Sequence, residues 1–215
     1  MRLIRSLIKK LILIVIILMV LFYFLQDQIL KFALPYFVSK NTNVRIKIAK
    51  VDSELQKGYI NLTGIEVLNP QGFKKETLAE INSLMLDINL KKLLLGKLYL
   101  SKFFIDVGTI YVIKNEKQQL NISKIKKKKR QRRKGILKRK GIFIEKMHLR
   151  LGEIISIDYS QNPPRARRVR LNLDREFTNV TNPRKIVISI FTHIVINKTL
   201  YGIRQKLRIP DLNIF

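Results

Sequence analysis

Hydrophobic and polar positions follow two regimes along this chain. From Leu11 to Leu25 no residue is charged, and the run reads LILIVIILMVLFYFL. From Val44 onward apolar residues recur every second position and are broken by turn residues, the period of half-buried strands. Val44, Ile46 and Ile48 alternate with Arg45 and Lys47, and Ile60 and Leu62 with Asn61 and Thr63. After Gly64 the apolar positions become Ile65 and Val67, a slip of one residue that predicts a β-bulge or bend at the glycine. Leu84, Leu86, Ile88 and Leu90 form the cleanest alternation. Leu98–Leu100, Phe103–Ile105 and Ile110–Val112 continue it.

The pattern then resumes over Ile142, Ile144, Met147, Leu149 and Leu151, with Gly152 read as a turn. Further strands are expected over Ile155–Tyr159 and Val169–Leu173, and a long one from Ile186 to Ile196. Asn69-Pro70-Gln71-Gly72 is a strong turn signal. Thr77–Asn82 is a candidate brief helix, and Leu93–Gly96 a short helical turn or tight connection. The fold class expected is mainly β: an N-terminal transmembrane helix, then a curved, mostly antiparallel sheet, either a groove or an incomplete barrel. Only short helices near Leu78 and Leu93 are available after the anchor to cover its apolar face. The sheet therefore curls on itself, lines a groove, or packs as a closed sandwich.

The apolar run is 15 residues, short of the roughly 20 needed to span a bilayer. Leu3–Ile8 and Ile29–Leu34 extend it, and Lys9 and Lys10 can snorkel. Pro35 sets the expected end of the helix at Leu34. Leu11, Ile14, Leu18, Phe22 and Leu25 are the anchor residues. A cleaved signal peptide would end in a small-residue site, and FLQDQIL contains none. Arg2, Arg5, Lys9 and Lys10 precede the span, which predicts a cytoplasmic N-terminus and an exported body. Four segments result: residues 1–36 (stub and anchor), 37–123 (first β half), 124–140 (polybasic loop) and 141–215 (second β half).

Net charge is +28, with no Cys, no Trp and two His. Lys124–Lys140 holds 12 basic residues in 17. Such a block repels itself and reads as a disordered loop. Lys126, Lys127, Lys128, Lys129, Arg130, Arg132 and Arg133 are candidates for contact with anionic headgroups. The block lacks interleaved aromatics, which argues against nucleic acid, although polyanion binding through it is a second alternative function. Without Cys there is no disulfide scaffold or thiolate nucleophile. His148 and His193 each fall within a strand pattern, and no carboxylate pair, nucleophile motif or phosphate loop stands out. The sequence therefore predicts no catalysis, no cofactor and no metal.

An anchor and an amphipathic first strand are followed by G-Y-I-N-L-T-G-I-E-V-L-N-P-Q-G-F (Gly58 to Phe73), L-M-L-D-I-N-L (Leu84 to Leu90), K-L-L-L-G-K-L-Y-L (Lys92 to Leu100), F-F-I-D (Phe103 to Asp106) and an N-I-S-K-I segment (Asn121 to Ile125). In this order the chain resembles the AsmA-like family of bacterial envelope proteins. Met147–Tyr159 is similar to that family's next repeat. The resemblance implies an inner-membrane anchor, a periplasmic β-groove without catalytic residues, and a role in envelope lipid transport or outer-membrane assembly. The candidate lipid-contacting residues are Ile60, Leu62, Leu84, Leu86, Ile88, Leu98, Leu100, Leu149 and Leu171. Phospholipid is the expected partner, with envelope proteins bound at exposed sheet edges. The alternative is a structural or secretion-type subunit with a closed β-sandwich that binds only protein.

Overall fold

A computed structural model describes residues 2–125 and 141–191. Helix α1 (Arg2–Asn41) is one continuous element of 40 residues, about 60 Å long. A bilayer needs only about half of that, so the helix reaches well beyond its apolar run. It does not stop before Pro35, as the sequence suggests, but carries the proline inside it. The reason is tertiary. Leu30 and Leu34 pack on the sheet, and this contact outweighs the hydrogen bond that proline forfeits. The end comes seven residues after the expected one. There the Asn41 amide donates to the Phe37 carbonyl and the Thr42 hydroxyl to the Val38 carbonyl.

The body is a single open six-stranded sheet: β1 (Arg45–Glu54), β2 (Tyr59–Leu68), β3 (Thr77–Ile88), β4 (Leu98–Lys114), β5 (Ile142–Asp158) and β6 (Arg165–Val180), in that spatial order. Helix α2 (Leu90–Leu94) joins β3 to β4, and α3 (Pro183–Phe191) follows β6. No strand among the described residues pairs β6 back to β1, and none forms a second sheet. The closed sandwich is therefore not what these residues form. All pairings are antiparallel except β4–β5, which is parallel. The parallel seam joins the two halves, because the chain leaves β4 at one end of the sheet and enters β5 at the other.

Several local expectations need correction. Thr77–Asn82 is strand, and Gly152 lies inside β5 rather than in a turn. A Cβ at Gly152 would stand 2.5 Å from the Gly108 carbonyl oxygen of β4, so glycine here admits a close backbone approach, not a reversal. The strand expected from Ile186 begins instead as α3. Asn182 accepts from the Lys185 amide and Pro183 opens the helix, a start signal that outweighs the β-branched run. Residues beyond 191 lie outside the described residues, as does the tail strand.

At Gly64 the apolar face slips as expected, but the β1–β2 register does not shift. Ile48 and Val51 lie opposite Ile65 and Leu62, and all four form one buried cluster although each pair is three residues apart. Strict alternation would send one member of each pair to the opposite face. Both strands turn together at one level, where Gly64 adopts φ +64° and a Cβ would meet that of Ala49 at 2.9 Å. The parallel seam repeats the device. Leu100 and Phe103 lie opposite Ile144 and Met147, again three apart and again in one cluster.

Candidate functional site

Register carries apolar residues of all six strands onto one face, while Met85 and Phe104 fall on the other in a row with His148. Leu62, Leu84, Ile105 and Leu149 form one cross-strand row, and Ile60, Leu86, Phe103, Met147 and Phe177 the next. Residues paired across strands share a face, so these rows lie side by side over β2–β6. The nine lipid-contact candidates fall within this surface but in different settings. Leu62 is buried beneath α1, with Ile60 and Leu84 at the rim of the same cluster. Leu100 is buried, and Leu86, Ile88 and Leu98 pack half-buried around it, with Ile186 of α3 beside them. Leu171 packs half-buried on the cluster of Val112, Leu120 and Ile154 at the other end. Leu149 is buried on β5.

Coverage of this face thus comes from elements that the sequence reading did not assign to it. The outer half of α1 lies over β1–β2, and the 120–122 segment and Ile186 of α3 close parts of the two ends. Leu84, Leu86, Phe103 and Ile105 stay half-buried on the central strands. Phe103, Ile105 and Met147 belong to the same rows, although alternation alone does not single them out. The three-residue steps hid that they share a row with Leu86 and Leu84.

The other face is polar and held by ion pairs. The Asp174 carboxylate bridges the His148 ring and Arg150, the latter at 3.0 Å, and His148 also packs edge-on to Phe104. Hydrogen bonding from His148, joined by Arg150, lowers the Asp174 pKa. The Thr77 hydroxyl, with Lys47, does the same for Glu66. His148 therefore serves as a cross-strand partner on the polar face. His193 lies outside the described residues. Among the described residues no group of three or more His, Cys, Asp or Glu is placed to hold a metal ion.

The end of the sheet far from the apolar run of α1 holds an open cleft of about 940 Å³ lined by polar and charged residues, among them Arg45, Lys74, Glu116 and Tyr159. None of the nine lipid-contact candidates lines it. Its wall is fixed by Asn121, which is fully buried. Asn121 donates to Asn69 and to the Tyr111 carbonyl and accepts from the Ile113 and Ile122 amides. Asn69 belongs to the N-P-Q-G turn and Asn121 to the N-I-S-K-I segment, and no periodic signal links the two across 52 residues.

The anchor residues Leu11, Ile14, Leu18, Phe22 and Leu25 are all exposed on α1, in a helix long and apolar enough to cross a membrane. The headgroup candidates Lys126–Lys129, Arg130, Arg132 and Arg133 lie outside the described residues. Lys124, the first residue of the basic block, ends a 3-10 turn that begins at Ile122. Compared with protein-family models, curated proteins and solved structures, the chain matches none.

Proposed function

We propose that this is a single-pass, AsmA-like envelope protein that takes phospholipid acyl chains onto the apolar face of its sheet and supports lipid transport or outer-membrane assembly without catalysis. Its N-terminus is cytoplasmic, its anchor lies in the inner membrane, and its body is periplasmic. The observation that carries this reading is the continuous apolar face of an unclosed sheet, half-buried along Leu84, Leu86, Phe103 and Ile105. Burying such a side chain under an acyl chain is worth roughly 1.5–3 kcal/mol at most. A row of them therefore suffices for retention of a lipid, and the polar opposite face remains in water. The positive flank before the span supports the orientation.

The test uses the full chain extracted in detergent, with bound phospholipid quantified by mass spectrometry. Wild type should retain phospholipid, and Leu86→Glu should lose most of it while keeping a cooperative melt. Lipid-free wild type, or a folded variant with unchanged lipid content, contradicts the reading.

A further inference from the structure

The strand β1 runs back along α1, so the far end of the sheet returns to the level where the apolar run stops. The Ser53 hydroxyl donates to Asp27 at 2.5 Å, and the Leu55 amide donates to the Gln26 side chain at 3.3 Å. Gln26 is the residue directly after Leu25. The 3-10 turn that follows, Leu55–Lys57, ends at Gly58, whose carbonyl accepts from the Ile88 amide at 2.9 Å. Gly58 also abuts the first residue of α2, since a Cβ there would lie 3.3 Å from Leu90 Cγ. An unbroken chain of contacts thus places α2 at the level where the apolar part of α1 ends.

At that level α2 presents an apolar tip. Leu94 is 88% exposed and Leu95 69%, with Leu93 partly exposed. Lys91 and Lys97 flank it in sequence, while the Lys92 ammonium sits over the Tyr99 ring and Lys57 of the adjacent turn pairs with Glu54. The tip is built rather than frayed. The Asn89 side chain accepts from the Lys92 amide at 3.0 Å, the Gly96 amide donates to the Leu93 carbonyl at 2.8 Å, and the Lys97 amide donates to the Lys92 carbonyl at 2.9 Å. Consecutive exposed leucines flanked by lysines are poorly suited to water and well suited to the headgroup boundary of an anionic bilayer. There the leucines are buried among acyl chains and the ammonium groups reach lipid phosphates.

We infer that α2 is a second membrane contact, in which Leu93–Leu95 enter the surface of the anionic bilayer that α1 spans while Lys91 and Lys97 bind its phosphates. Two contacts, one spanning and one interfacial, fix the tilt of the sheet. They hold the end carrying Ile88, Leu98 and Leu100 against the lipid, so the apolar face begins where acyl chains are available. The inference rests on the reading of α1 as a membrane anchor but not on acyl chains entering the groove.

The chain has no tryptophan, so Leu94→Trp gives a single-site reporter at an exposed position. The full-length variant is reconstituted into phosphatidylcholine vesicles with and without phosphatidylglycerol, and acyl-brominated lipids serve as quenchers. Blue-shifted emission that bromolipids quench is expected, stronger with phosphatidylglycerol and weakened by adding Lys91→Glu and Lys97→Glu. Protein that floats with the vesicles but emits as in water, unaffected by bromolipid, overturns the inference and leaves the anchor standing. Such a tip would instead be available to a protein partner. Protein that does not float overturns both. A circular-dichroism spectrum matching wild type confirms that the reporter has folded.

Discussion

Asn121 donates through Nδ2 to Oδ1 of Asn69 across 2.8 Å, and this one bond ties the turn after β2 to the segment after β4. Nδ2 of Asn69 in turn donates to the Lys75 and Thr77 carbonyls, both at 2.9 Å. Two loops far apart in sequence are thereby closed into one cap at the end of the sheet far from the apolar run of α1. Each polar atom of the buried Asn121 side chain has a partner, which is the condition for burying an amide without penalty.

Asn121→Ala should therefore cost about 3 kcal/mol, since it leaves the buried Ile113 and Ile122 amides and the Asn69 oxygen without their partner. Asn121→Asp should be at least as damaging, because a carboxylate would face the Asn69 oxygen and the Tyr111 carbonyl. Denaturant titration of the full chain in detergent checks both, with Lys117→Ala as a comparison at an exposed position.

The packing of α1 on β1–β2 predicts a second outcome. Leu62→Ala empties a site enclosed by Leu30, Leu34, Ile48 and Ile65, and should destabilise the body by roughly 2–4 kcal/mol. If α1 were merely a tether, Leu34→Ala would leave the melting of the body unchanged. We expect it to fall, as read by thermal denaturation in the same detergent.

Gly152→Ala should disrupt the seam between the two halves. Its Cβ would sit 2.5 Å from the Gly108 backbone oxygen, and backbone cannot yield as a flexible side chain does, so a loss of about 1–3 kcal/mol is expected. Gly72→Ala is informative beside it. Nothing lies within 4 Å of a Cβ there, so only the strain of its positive φ remains.

The ion pair Lys114–Asp158, 3.3 Å across the far end of the seam, gives a pH signature. Burial acts to raise the Asp158 pKa, but hydrogen bonds from Ser160, with Lys114, outweigh it, and the net shift is downward from 3.8. A depressed carboxylate stabilises the fold above its unfolded pKa, and this contribution is lost as pH falls through the lower folded value. Stability of wild type should therefore decline as pH falls through and below the ordinary carboxylate range. Asp158→Asn should show a shallower decline in that window.

Strand identity was readable where alternation was strict, as at Leu84–Ile88, and the helix–sheet division was readable from Leu11–Leu25 against Val44–Ile48. Four features were not. The three-residue steps at Ile48–Val51 and Phe103–Leu100 look like pattern breaks until the partner strand is seen to step with them. Continuation of α1 past Pro35 depends on what Leu30 and Leu34 touch, which no local propensity encodes. The helical state of Ile186–Ile190 was outweighed in the reading by β-branched composition, although Asn182-Pro183 signals a helix start. The Asn69–Asn121 contact spans 52 residues and leaves no periodic trace.

The central claim is that acyl chains occupy the apolar face of the open sheet. Photo-crosslinking of the membrane-embedded full chain with a phospholipid bearing a diazirine in its acyl chain, followed by peptide mapping, tests it most directly. The account predicts adducts on the 84–88 and 103–105 segments in addition to α1. Adducts confined to residues 7–25 would contradict it.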